Sequence, residues 1–199
     1  MIEALLKKIE LLISKNLLDH QADNFENYKK VGGATDEEIK AFEVEFDILL
    51  PDDFKALYKY KNGSYYPFDL FYTTYNEECV EPFCLLSLDE IRKVKTYFCN
   101  ENKLMAECDG VFSNEDIIKL DKRIKPFLYN ERWFPFAQLA FGSLYLLLDL
   151  DPSEKGELGQ VIIHVHDPDF VYYVSKDIGA LLQDTIENLE DGCYEDFHG

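Results

Sequence analysis

Leu144-Tyr145-Leu146-Leu147-Leu148-Asp149-Leu150 reads as a strand, and its first five residues are apolar on both faces. Such a strand belongs at the centre of a sheet, covered by helices. The runs 133–137, 161–166 and 170–174 beside it are rich in β-branched or aromatic residues, with Gly, Pro and Asp between them. Their short connections predict an antiparallel meander in the C-terminal third, with 144–150 paired to 161–165 across the connection 151–160. Ile178, Leu181, Leu182, Ile186 and Leu189 then stand at helical spacing, which predicts a closing helix packed on the sheet. The fold class is α+β: a central, mainly antiparallel sheet packed by helices in a single domain.

Upstream of the sheet the periodicity becomes helical. Thr35 and Glu38 form a capping box, in which the hydroxyl accepts one orphan amide and the carboxylate reaches back to another. Ile39, Phe42 and Phe46 give that helix its apolar stripe. Pro51 suits the start of a second helix, Phe54, Leu57 and Tyr58 form its core face, and Asn62-Gly63 offers a left-handed end. Residues 65–83 mix aromatic and acidic side chains and read as strand and loop, while 88–98 and 115–124 read as helices. At the N-terminus, Ile2, Leu5, Leu6, Ile9, Leu12 and Ile13 predict a helix over about 2–18. The polar stretch 19–30 and Gly32-Gly33 read as a linker. The expected division is an N-terminal helix and linker over 1–30, one domain over 31–190 and an acidic tail over 191–199.

The chain has 199 residues with 20 Lys+Arg against 39 Asp+Glu, a formal charge of −19. A surface of that sign repels nucleic acid and anionic membranes and attracts basic partners. Cys79, Cys84, Cys99, Cys108 and Cys193 form no CxxC pair, and their odd number fits reduced thiols in a cytoplasm. Lys7, Lys8 and Glu10 break the apolar run of the first helix, so neither a signal peptide nor a membrane span is expected there.

Several patterns resemble reactive chemistry without completing it. His164 and His166 alternate along one strand with Asp167 and Asp169 close behind, a spacing that can seed a metal site, but no third ligand stands at a fixed distance. They are read as polar-face residues. Asp149, Asp151 and Ser153 open like a calcium loop, yet Glu154 stands where the turn needs glycine and Gln160 where a bidentate carboxylate is needed. Ser143, in Phe-Gly-Ser-Leu-Tyr, lacks the second glycine of a nucleophile elbow, and neither GxGxxG nor GxxxxGK[ST] occurs. No catalytic residue, metal, cofactor or small-molecule substrate is expected.

Two blocks together resemble the SUKH superfamily, which includes relatives of fungal cell-wall-assembly regulators and many bacterial polymorphic-toxin immunity proteins. The first runs from Gly33-Ala34-Thr35-Asp36-Glu37-Glu38-Ile39 through Leu50-Pro51-Asp52-Asp53-Phe54 to Asn62-Gly63. The second comprises Trp133-Phe134-Pro135-Phe136-Ala137, Leu148-Asp149-Leu150, Gly156 and Gly159-Gln160-Val161-Ile162. The resemblance implies a non-catalytic protein that neutralises a cognate toxin, commonly a nuclease or deaminase, by covering it. A regulatory interaction module like the fungal relatives is the alternative. The expected partner is a basic toxin domain. The expected contact surface combines Asp69, Tyr72, Tyr75, Glu77, Glu78 and Glu81 with the turn carrying Asp149, Asp151, Glu154 and Glu157.

Overall fold

A computed structural model of the chain describes residues 1–18, 21–75, 80–108, 110–139, 142–167 and 169–194. The predicted meander is present as β5 (Trp133–Gln138), β6 (Leu144–Asp149), β7 (Gln160–Val165) and β8 (Phe170–Ser175), each antiparallel to the next. Leu144 pairs with Val165 and Asp149 with Gln160, so 151–160 does connect paired strands. β1 (Phe71–Thr74) and β2 (Val80–Leu85) extend the sheet, whose order is β1-β2-β5-β6-β7-β8. Pro135 sits in an interior strand because the register shifts between Pro135 and Ala137, where a missing amide costs no ladder bond.

Helices α1 (Ile2–Asn16), α4 (Asp52–Tyr60) and α7 (Ile178–Glu190) pack together, with α7 also against β1 and β8. α5 (Leu88–Lys95) packs on β5. A two-stranded ribbon, β3 (Lys103–Leu104) with β4 (Phe127–Tyr129), brings Tyr129 over His164 at a ring separation of 5.5 Å. Every residue of β6 is buried, as its two-sided apolar pattern requires. The capping box of α3 (Asp36–Phe46) forms as read: Glu38 N–H donates to Thr35 Oγ1 at 3.1 Å and Thr35 N–H to Glu38 Oε2 at 2.7 Å. Among the described residues no helix is long and apolar enough to cross a membrane.

The two helices predicted over 88–98 and 115–124 are shorter. α5 stops at Lys95, whose ammonium turns inward to the carbonyls of Cys99, Glu131 and Trp133, and burial pulls its pKa down to about 8. α6 covers only Asn114–Lys119, capped by Ser113.

The linker reading of 19–30 is corrected: α2 occupies Ala22–Lys30. Its polar composition hides two anchors, Phe25 and Tyr28, which are buried, with Tyr28 stacked on Phe68 at 4.3 Å. The far end of α4 supplies its C-terminal cap. Lys61 Nζ donates to the carbonyls of Tyr28 (3.2 Å), Lys29 (3.3 Å) and Val31 (2.8 Å), while burial lowers its pKa. Lys61→Met should therefore cost about 2 kcal/mol of stability, the usual scale for hydrogen bonds to a charged group. Urea unfolding measures the loss, and faster amide exchange confined first to α2 would locate it. Exchange spread evenly over the molecule would contradict the capping role.

At the other terminus, Cys193 and Tyr194 of the expected tail are buried, and Tyr194 Oη donates to Gln21 Oε1 at 2.7 Å. Residues 195–199 lie outside the described residues.

Candidate partner-binding surface

The two rims of the sheet are treated differently. Along β1, Tyr72 N–H donates to Thr185 Oγ1 (3.2 Å) and Asn188 Nδ2 donates to Tyr72 O (2.9 Å), so α7 occupies that rim. β8 is the opposite terminal strand, paired with β7 in the order of the described strands. Beside it opens a cleft of about 1070 Å³. Thr74 and Tyr75 at the end of β1, Val111 and Phe112, and Asp116, Lys119 and Asp121 on and after α6 form part of its lining. Asp169, Phe170, Val171, Tyr172 and Tyr173 form the rest. Aromatic rings dominate the apolar part: Phe170 lies 5.0 Å from Tyr172, and Tyr172 lies 5.6 Å from Tyr75.

The polar part of the lining is acidic and locally braced. Asp121 Oδ2 accepts from Arg123 Nη2 at 2.6 Å, and that bond holds its carboxyl below the usual range. Arg123 in turn lies over the Tyr173 ring, 3.2 Å from its centroid. Asp116 is held low by its bond from Ser113 and stands 3.8 Å from Lys119. Asp169 Oδ1 contacts His166 Nδ1 at 2.7 Å, which raises the imidazole pKa. A second depression of about 410 Å³, lined in part by Ile118, Ser153 and Glu154, shares Asp121 with the first.

The expected surface residues separate into four groups. Tyr75 reaches the cleft, Glu154 lines the second depression, and Glu157 is exposed. Tyr72 and Asp149 require correction, because both are buried. Tyr72 packs against Tyr194 at 5.9 Å. Asp149 accepts from Trp133 Nε1 (3.0 Å), Asp151 N–H (2.9 Å) and Gln160 Nε2 (2.8 Å). Asp69 is half-buried, accepts from Cys84 Sγ at 3.1 Å and has its pKa raised by burial. Glu81 is half-buried in β2, with its pKa raised for the same reason. Asp151 is bound to Lys125 and accepts from Asn130 Nδ2 at 3.0 Å; burial opposes ionisation, but these partners hold its carboxyl low. Glu77 and Glu78 lie outside the described residues.

The two strand histidines do not act alike. His166 is exposed, whereas His164 is buried between Phe98 and Tyr129, its Nε2 4.0 Å from Asp169 Oδ1, and burial pushes its pKa down to about 4. Among the described residues no group of three or more His, Cys, Asp or Glu side chains is arranged to hold a metal.

The sequence reading passed over Phe170, Tyr172, Tyr173, Asp116, Asp121 and Asp169 as surface candidates. The available signal was the run Phe170-Val171-Tyr172-Tyr173 itself, which carries aromatic rings on both faces of the last strand of the meander.

The family described as SMI1 / KNR4 (SUKH-1) matches residues 33–184. Among curated proteins no match is found.

Proposed function

The chain belongs to the SMI1 / KNR4 family (SUKH-1), and from that membership we propose that it is an immunity protein that neutralises a toxin domain by binding and covering it. Domains of this family are generally non-catalytic immunity or regulatory modules. The family match over 33–184 carries the reading, and the charge indicates the sign of the partner. A −19 protein meets a basic nuclease or deaminase domain with attraction at long range, which raises the encounter rate and disfavours acidic competitors. No bond is made or broken in this mechanism, and it operates in the cytoplasm. Glu154, Glu157 and Glu81 supply steering charge, while Tyr75 supplies buried contact.

The test uses the protein encoded by the adjoining reading frame, expressed with and without this chain. Protection of cells and a complex of the purified partners are expected; absence of both would remove the assignment. Reversing two exposed charges, Glu154→Lys with Glu157→Lys, should slow association about tenfold at low salt and flatten its salt dependence, with less effect on dissociation. Stopped-flow rates at several ionic strengths measure this. An unchanged association rate would exclude the 151–160 turn from the steering face.

A further inference from the structure

We propose that Tyr65 and Tyr66 are aromatic anchors that this chain presents to arginine or lysine side chains on the basic face of its partner. The inference rests on the immunity reading above and adds contact residues which that reading does not name. Among the described residues, four that are not glycine have positive φ: Asp47, Tyr65, Cys99 and Asp167. Aspartate tolerates that region, and Cys99 is buried with its carbonyl bound by Lys95 Nζ. Neither reason applies to Tyr65. A bulky residue at φ 65° is strained, and here its side chain belongs to a residue 54% exposed, beside Tyr66 at 48%. Burial in the core does not account for an exposed ring on a strained backbone, whereas a contact outside the chain does.

The loop that carries the two rings is fastened on both sides. Ser64 N–H donates to Leu85 O (2.9 Å), Leu85 N–H to Ser64 Oγ (3.0 Å) and Ser64 Oγ–H to Phe68 O (2.6 Å). Phe68 N–H closes the turn on Tyr65 O at 3.0 Å, and Phe68 itself is buried against Tyr28. Leu70 N–H then donates to Phe83 O (2.8 Å), so both ends of the loop are tied to β2. Rings held on such a frame lose little conformational freedom on binding, which is why tyrosine is enriched among interface anchors. The charge names the occupant. A −19 chain draws in basic surfaces, and the face of a phenol ring attracts a guanidinium or ammonium most strongly once water is excluded. The same pairing occurs within the chain, with Lys61 Nζ 4.6 Å from the Tyr28 ring centroid and Arg123 over Tyr173.

The complex with the protein encoded by the adjoining reading frame is the test, read by binding kinetics, by protection of cells and by thermal melting of the free variants. Tyr65→Gly and Tyr66→Ala should each weaken the complex about thirtyfold, through faster dissociation. Tyr65→Phe should stay within about threefold of wild type, since it keeps the ring face that a cation meets. Glycine accepts positive φ, so Tyr65→Gly should melt no lower than wild type and about 3 °C above Tyr65→Ala. Lost affinity at undiminished stability is a combination that a packing role does not produce. Melting of Tyr65→Gly below wild type would assign the strained ring to packing and overturn the inference. Tyr65→Gly and Tyr66→Ala binding and protecting like wild type would also overturn it, and immunity would stand. If wild type itself forms no complex and protects no cells, immunity fails and takes this inference with it.

Discussion

Gly33→Ala is expected to cost at least about 3 kcal/mol, enough to leave much of the chain unfolded at moderate temperature. Residues 32–34 are clamped to the last turn of α4, with Asn62 N–H donating to Gly32 O (2.9 Å) and Ala34 N–H to Tyr58 O (2.8 Å). A Cβ at Gly33 would stand 1.8 Å from Lys59 O and 2.5 Å from Lys59 C. Those atoms are backbone and cannot rotate away, so either the clamp or α4 must shift. Gly32→Ala is the control, since a Cβ there meets nothing within 4 Å, and its effect should stay within about 0.5 kcal/mol. Urea midpoints for the two variants measure the difference. Equal midpoints would refute the close approach.

Asp149→Ala should cost about 2–4 kcal/mol, because it strands the buried indole N–H of Trp133 and weakens the anchoring of Gln160. The Asp149 carboxyl is fully buried, and burial pushes its pKa up to about 6 against the hydrogen bonds from Asp151, Gln160 and Trp133. The folded pKa thus lies above the unfolded value of about 3.9, and the native state binds the proton more tightly. Its contribution is fully present below about pH 4 and is lost as pH rises through about 6. Relative to Asp149→Asn, wild type should gain on the order of 2 kcal/mol between pH 7 and pH 4. Unfolding free energies of both proteins at the two pH values give the sign. A relative loss on acidification would mean that the three donors outweigh burial.

What could be read in advance was what local chemistry determines. The two-faced apolar run at 144–148 placed β6 at the centre of the sheet, and Thr35 with Glu38 announced the start of α3, because each signal lies within one element. α2 was illegible for the opposite reason. Two anchors, Phe25 and Tyr28, give no repeating stripe, and its C-terminal cap comes from Lys61, some thirty residues downstream. Asp149 and Tyr72 looked like surface residues because a carboxylate and a phenol are polar. Their burial depends on Trp133 and Gln160 for one and on Tyr194 for the other, all on different elements. The cleft was hidden in the same way, since the end of β1, residues 111–121 and β8 converge only once the sheet has formed. Among the described residues Tyr75 alone belonged to both the expected surface and the cleft.

The coverage of β1 by Thr185 and Asn188 has a consequence for the stoichiometry of assembly. Growth of a cross-strand polymer requires each subunit to offer two usable sides, one to receive a strand and one to pass the template on. Here the β1 side is already consumed within the subunit by α7, so no template is passed on through that rim. A sheet with one side closed in this way stays discrete as concentration rises, where a sheet open on both sides would seed a fibre.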